Sequence, residues 1–244
     1  MTARSLSGRR ILVVGASSGI GAATAVAAAK SGATVVIAAR RLERLTALAE
    51  SCEGRLLPVR CDVRDPDDCR LVVERAVSDA GGLDDVVYAA AVSDLVLVKG
   101  TSAEEWHRIL ETNVVGFSLV FGAAERHLAA AEGSMIVLSS ISVLRPKPGL
   151  VPYAASKAAV HKLVEGMRTE NPDINFTIVT IGPTAGGEMS RGFDPVLAGE
   201  LTAQWVREGF LARGQMTSED VGERIVECLE APMRTEDLVL LPRP

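Results

Sequence analysis

The run Arg10-Ile11-Leu12-Val13-Val14-Gly15-Ala16-Ser17-Ser18-Gly19-Ile20-Gly21 decides how the rest of the chain is read. A short, mostly apolar and β-branched stretch ends in a glycine-punctuated turn, and an Ala-rich stretch from Gly19 to Lys30 follows at once. The glycines permit a tight reversal and let backbone N–H groups approach an anion. The opening turn of the helix adds uncompensated donors and a partial positive charge. A pyrophosphate suits such a junction, so the segment predicts a dinucleotide site at the first strand-to-helix crossing.

The pattern set there repeats along the chain. Thr34 to Ala38 reads as a second strand and Leu42 to Ser51 as the helix after it, with Gly32 stopping the first helix. Arg55 to Arg60 is the third strand, and Asp65 with Pro66 opens a helix reaching Asp79. Asp85 to Ala91 is the fourth strand. Thr101, Glu104 and Glu105 form a capping signal for a helical stretch that runs through Thr112 to Ala131. Ser134 to Ser139 is the fifth strand, Tyr153 to Thr169 a helix, and Asn175 to Ile181 the sixth strand. Ser218 caps a helix to Leu229, and Leu238 to Leu241 closes the series. Strands apolar on both faces, alternating with helices, predict an α/β fold: a Rossmann-like, doubly wound, seven-stranded parallel sheet covered on both sides. No linker or repeat divides it, so residues 1–244 are expected to form a single domain. Residues 184–217 are glycine-punctuated and mixed in pattern, and read as a substrate-binding flap. Met189, Phe193, Leu197, Leu201, Trp205 and Phe210 within it recur partly at helical spacing; they are either core packing or subunit contact, or the wall of an apolar pocket.

Composition narrows the partners. The chain has 244 residues, formal net charge −5, and 48% hydrophobic content. The acidic balance and scattered basic residues argue against nucleic acid or an anionic membrane surface. No segment approaches the length of a membrane span. The four cysteines (Cys52, Cys61, Cys69, Cys228) have no C-x-x-C spacing and no nearby His. They read as free thiols in a reducing, cytoplasmic setting, with no metal site.

Two further patterns carry chemistry. The second strand ends in Ala38-Ala39-Arg40-Arg41, where a dinucleotide site selective for an unphosphorylated ribose would carry a carboxylate. A guanidinium there holds a 2′-phosphate by paired charge-assisted bonds, so the reading is NADP(H) rather than NAD(H), with Arg40 as principal contact and Arg41 as support. Then comes Tyr153-Ala154-Ala155-Ser156-Lys157. Positions four apart share a helix face, so a phenol and an ammonium address one site, and the cation is expected to lower the phenol pKa toward a useful range. Ser140, thirteen residues earlier at the end of the fifth strand, is placed to meet a substrate oxygen; Ser139 and Ser142 are its neighbours.

The G-x-x-x-G-x-G spacing, the Y-x-x-x-K pair and Ser140 together resemble the short-chain dehydrogenase/reductase family, from Arg9 to about Ile181 and more loosely to Leu241. The resemblance implies Tyr153 as proton donor or acceptor, Ser140 orienting the carbonyl, and Lys157 on the nicotinamide ribose. It also implies that Asn113, in Thr112-Asn113-Val114, holds a water in a proton relay. Gly15, Ser17, Ser18, Gly19, Ile20, Gly21, Asp62, Val63, Ala90, Pro183 and Thr184 complete the implied cofactor contacts, Asp62-Val63 as the adenine pair. The implied activity is hydride transfer between nicotinamide and a small-molecule carbonyl or secondary alcohol, apolar if the flap lines the pocket. A homotetramer or dimer built on the stretches 116–131 and 153–169 is also implied. A catalytically silent nucleotide-binding scaffold is the alternative, against which the full set Asn113, Ser140, Tyr153 and Lys157 argues. An epimerase or dehydratase of the extended family would need a sizeable C-terminal substrate domain. Several positions depart from the family pattern. Val14 stands for Thr. Tyr88-Ala89-Ala90-Ala91 replaces Asn-Asn-Ala-Gly, removing side chains that normally steady the sheet. Gly182-Pro183-Thr184 replaces Pro-Gly, leaving Gly187 at the usual Thr position with Thr184 as a substitute.

Overall fold

Side chains alternate across a strand, so a strand buried on both faces must find cover on both. In the computed structural model, which describes residues 5–52, 54–210 and 214–243, β1 (Arg10–Val14) does so. Leu12 and Val14 enter one core with Val86, Tyr88, Phe117, Val120 and Val137. Ile11 and Val13 enter a second core with Ala25, Ala28, Val87, Ile136, Val221 and Ile225. Two cores, one on each side of the sheet, make the doubly wound layering.

The strands are β1, β2 (Thr34–Ala39), β3 (Leu56–Arg60), β4 (Asp85–Tyr88), β5 (Ser134–Ser140), β6 (Asn175–Ile181) and β7 (Asp237–Leu240). They pair in parallel in the order β3-β2-β1-β4-β5-β6-β7. The order reverses between β1 and β4, which opens a crevice at the carboxyl ends of those strands. The helices are α1 (Gly19–Lys30), α2 (Leu42–Glu50), α3 (Pro66–Ala80), α4 (Ala103–Leu110), α5 (Gly116–Ala130), α6 (Val151–Glu170), α7 (Pro195–Arg207) and α8 (Ser218–Glu230). Asp65 caps α3 as expected, its carboxylate accepting from the N–H groups of Asp67 and Asp68.

Some boundaries differ from expectation for identifiable reasons. β4 ends at Tyr88 rather than Ala91, because the N–H and C=O of Val92 bond to the Asn113 carboxamide instead of a neighbouring strand. The cap of α4 is Ser102, not Thr101: Ser102 and Glu105 make a reciprocal capping box, while Thr101 Oγ1 turns back to the Leu97 carbonyl. Likewise Thr217, not Ser218, caps α8 through a box with Asp220, and Ser218 Oγ donates to the Ala185 carbonyl. α6 begins two residues before Tyr153, with Pro152 in its first turn. α4 and α5 are joined by a wide turn of π-helix, Glu111–Val115, which carries Asn113.

Within residues 184–217, Asp194 caps α7, and the helix is fastened to the loop before α6. Trp205 Nε1 donates to the Pro148 carbonyl at 3.0 Å, and Arg145 donates to the carbonyls of Glu208 and Gly209 while stacking on Phe210. Leu201 is buried against Gly149, whereas Met189 is exposed. Residues 211–213 of that segment, residues 1–4 and Pro244 of the expected 1–244 domain lie outside the described residues. All four cysteines are free thiols.

Candidate active site

The glycine loop is built by close approach. Gly15 has φ +91, and a Cβ there would lie 2.4 Å from the backbone nitrogen of Ala90. A Cβ on Gly21 would lie 2.4 Å from the Gly15 carbonyl oxygen. No side chain caps α1 at Ser18, and no acidic residue stands in its first turn. The donors of that turn therefore face the crevice without an internal acceptor, which fits a pyrophosphate.

Around this loop the expected residues fall along the carboxyl edge of the sheet. Arg41 Nη2 donates to Ser17 Oγ at 2.9 Å and reaches Ser18 Oγ at 3.5 Å. Arg40 is exposed and makes no ion pair among the described residues. Asp62 is held by Arg64, whose Nη2 lies 2.6 Å away, and this hydrogen-bonded cation lowers the Asp62 pKa. Val63 is buried beside it. Thr184 Oγ1 donates to the Gly182 carbonyl, and the Met216 N–H donates to the Pro183 carbonyl, so both residues are tied into a small bridge after β6.

At the end of β5 the two adjacent serines part. Ser139 Oγ lies 2.7 Å from His161 Nε2 on α6. Ser140 turns the other way, accepting from the Ser142 N–H and donating to Ser142 Oγ, both at 3.2 Å. Burial pushes the Tyr153 phenol up to about 12, an effect the Ser140 hydroxyl opposes in part. Lys157, 2% exposed, donates from Nζ to the Leu138 carbonyl at 2.7 Å and lies 5.8 Å from the Tyr153 ring centroid. Burial draws its ammonium down to about 8. The expected acidification of the phenol by the cation is thus outweighed here: desolvation dominates both groups and disfavours charge on each.

Asn113 is fully buried and fully engaged. Its Oδ1 accepts from the Val92 N–H at 2.8 Å, and its Nδ2 donates to the Val92 carbonyl and to Ser156 Oγ, both at 2.9 Å. Ser156 Oγ donates in turn to the Tyr153 carbonyl. The Asn113 side chain therefore clamps the loop after β4 to the first turns of α6. Tyr88 does not weaken this part of the sheet as its departure from the family pattern implies; it supplies a support of its own. Its hydroxyl donates to the Thr112 carbonyl at 2.6 Å, its ring packs edge-on to Phe117 at 5.5 Å, and the absence of a side chain on Gly116 leaves room for it.

Sequence reasoning missed Arg64, Arg44, Glu188 and His161, and the steadying role of Tyr88. Only Tyr88 carried a local signal, a large aromatic where the family has a small polar side chain. Among the described residues, no group of three or more His, Cys, Asp or Glu side chains is gathered as for a metal, and no helix is long and apolar enough to cross a membrane.

A parallel sheet with this order, a glycine loop at its first crossing and a Ser/Tyr/Lys group beside it define a nucleotide-dependent oxidoreductase class. The short chain dehydrogenase family model matches residues 9–193, and the chain belongs to the short-chain dehydrogenase/reductase family. It is 36% identical over 183 residues to 11-beta-hydroxysteroid dehydrogenase A of Sesamum indicum, covering 72% of this chain and 53% of that one. An uncharacterized oxidoreductase of Listeria monocytogenes is 32% identical over 181 residues, covering 72% and 73% respectively. The chain spans a little over half the length of the plant relatives it matches. A short-chain dehydrogenase/reductase structure from Mycobacterium marinum superposes with TM-score 0.84 at 31% identity, covering 97% of this chain and 95% of that one. An alcohol dehydrogenase from Thermococcus sibiricus, complexed with 5-hydroxy-NADP, shares the fold at TM-score 0.84 and 24% identity, over 97% of this chain and 98% of that one.

Proposed function

We propose that this chain is an NADP(H)-dependent reductase of apolar ketones, working reversibly on the corresponding secondary alcohols. The observation that carries the reading is the buried Tyr153 on α6, with Lys157 buried on the same helix face, Ser140 at the end of β5 and the glycine loop along the same sheet edge. Gly15 to Gly21 would hold the pyrophosphate, Arg40 and Arg41 the 2′-phosphate, Asp62 and Val63 the adenine, and Ala90, Lys157, Pro183 and Thr184 the nicotinamide half. When bound, the reduced nicotinamide supplies a hydride to the carbonyl carbon. Ser140 donates a hydrogen bond to the carbonyl oxygen and fixes its direction. Tyr153 delivers the proton that completes the alcohol, and its elevated pKa keeps it in the protonated form a donor requires. Lys157 spends one of its three N–H donors on the Leu138 carbonyl, leaving two for a ribose hydroxyl and the phenol. Asn113 positions this group by holding the start of α6 against the loop after β4.

Exposed apolar side chains on the segments that flank the proposed site in the chain, Leu144 between Ser140 and Tyr153 and Met189 after β6, support an apolar substrate. The names of the plant relatives make steroidal ketones a sensible part of the panel. Reduction is the proposed physiological direction, in a cytoplasmic setting where NADPH drives it, and α5 and α6 are the proposed faces of a dimer or tetramer. The test is to follow nicotinamide absorbance with NADPH and a ketone panel, wild type against Tyr153→Phe. Loss of the phenolic proton is expected to slow turnover by about 10²–10⁴-fold with NADPH binding retained. A variant that turned over its ketone at the wild-type rate would sink the assignment.

A further inference from the structure

Glu188 belongs to no motif of the cofactor site, yet three guanidinium groups converge on it. Arg41 Nη2 lies 2.7 Å from one carboxylate oxygen. Arg44 and Arg191 lie 2.8 and 3.2 Å from the other. The same Arg41 nitrogen donates to Ser17 of the glycine loop. One cation therefore joins the phosphate loop to the segment after β6. That segment also packs on the loop directly, since a Cβ on Gly19 would lie 3.2 Å from Gly187 Cα.

The charge count is uneven. Three guanidinium groups face a single carboxylate, so the cluster retains two positive charges, and Arg40 stands next to Arg41 in the chain. A phosphate monoester offers nearly two negative charges near neutral pH and three acceptor oxygens, a better match for several guanidinium forks than one carboxylate. Arg41 cannot present its fork to such a group while its Nη2 serves both Ser17 and Glu188. A carboxylate held beside a phosphate would also repel it. The arginines do hold Glu188 firmly ionised: hydrogen bonds from Arg41 and then Arg44 draw its pKa down to about 2.

We propose that Glu188 is an internal substitute for the cofactor 2′-phosphate, holding Arg41 and Arg44 and closing the segment after β6 over the glycine loop until a 2′-phosphate displaces it. The inference rests on the reading of Arg40 and Arg41 as the 2′-phosphate site, and adds a residue that sets how strongly the two nicotinamide cofactors are distinguished. An unphosphorylated ribose meets no competition from Glu188, whereas a phosphorylated one must break its ion pairs. Glu188 therefore narrows the preference that the arginines create. Displacement would also release the stretch holding Met189 and Arg191, which leads into α7.

The experiment uses the full chain and two adenine-half probes, adenosine 2′,5′-bisphosphate and 5′-AMP, titrated by calorimetry into wild type, Glu188→Gln and Glu188→Asp. Removing the three partly exposed ion pairs of Glu188, two of them to Arg41 and Arg44, is expected to raise the preference for the bisphosphate by about three- to tenfold in Glu188→Gln, with 5′-AMP affinity almost unchanged. Glu188→Asp, which keeps the charge, should stay near wild type. Trypsin cleavage after Arg191 gives an independent reading: the bisphosphate should hasten it in wild type, and Glu188→Gln should be cut quickly without ligand. If Glu188→Gln weakens the bisphosphate, or shifts both probes equally, Glu188 is a structural brace and the inference falls. If wild type prefers the bisphosphate and Glu188→Gln leaves the ratio unchanged, the cofactor reading stands and the inference falls. If wild type shows no preference and Glu188→Gln acquires one, the inference stands and the wild-type NADP(H) preference fails. If neither chain distinguishes the probes, both readings fall.

Discussion

Tyr153 and Lys157 are neighbours four residues apart, yet each is governed more by what surrounds it than by the other. An ammonium drawn from its ordinary 10.5 to about 8 costs about 3 kcal/mol of stability wherever it is charged in the folded protein. That penalty is fully present below pH 8 and is relieved as pH rises from 8 toward 10.5, because only the unfolded chain then keeps the proton. Lys157→Met should therefore be inactive but more stable at pH 7, by about 2 kcal/mol once the lost bond to the Leu138 carbonyl is subtracted. Denaturant melts at pH 7 and pH 10 test this: the advantage must shrink at the higher pH, and a variant less stable at pH 7 would refute it. Tyr153 sets a second expectation. With the phenol near 12, ketone reduction should be insensitive to its titration from pH 6 to 9, while alcohol oxidation, which needs the phenolate, should climb with pH. Initial rates in both directions decide it, and an oxidation rate that stayed level would count against Tyr153 as the base. The Tyr–Lys pairing was legible because a helix face is a local fact of spacing. The direction of the phenol shift was not, because desolvation is set by β5 and the surrounding core. Glu188 was equally invisible, since its partner Arg44 lies 144 residues away in the chain and Arg41 beside it.

Elements show the same division. The alternation of strands and helices was legible from periodicity, and each of the seven strands falls where that alternation predicts it. Caps slipped by one residue at Thr101/Ser102 and at Thr217/Ser218, because two adjacent hydroxyls offer the same local chemistry and only tertiary partners select between them. The wide turn Glu111–Val115 had no periodic signature at all. It is held from outside its own helix: Tyr88 from β4 takes the Thr112 carbonyl, and Asn113 clamps Val92. Tyr88→Phe keeps the ring against Phe117 but leaves a buried carbonyl without that donor, at a cost of about 1–3 kcal/mol. A fall in Tm of several degrees is expected, together with faster amide exchange at Val92 if the turn loosens. An unchanged melting temperature would show that the hydroxyl bond contributes little and that ring packing alone steadies the turn.

Across the whole molecule, the parallel sheet separates two kinds of chemistry by its two edges. Groups proposed to bind or react gather at the carboxyl ends of the strands, where the reversal between β1 and β4 opens the crevice. The amino ends carry a different arrangement. Arg9 grips Asp85 with Nε and Nη2 at 2.6 to 3.0 Å, and the Ser134 N–H donates to the same carboxylate. Arg10 and Asp84 form a second pair alongside. Asp85 is fully buried, and burial raises its pKa despite the opposing Arg9 charge. Removing the cation leaves a buried carboxylate without its counter-ion, so Arg9→Met should cost about 3 kcal/mol at pH 7. Because the folded-state pKa of Asp85 would rise further, the deficit should shrink on acidification, as the carboxyl regains a proton and no longer needs the guanidinium. Turnover per folded molecule, measured below the lowered melting temperature with NADPH and a ketone accepted by wild type, should stay within about twofold, since effects at well-separated sites add independently. A tenfold loss of kcat/KM in chains that still bind NADPH normally would mean that the two edges of the sheet are coupled, and that β4 transmits strain from Asp85 to the clamp at Val92.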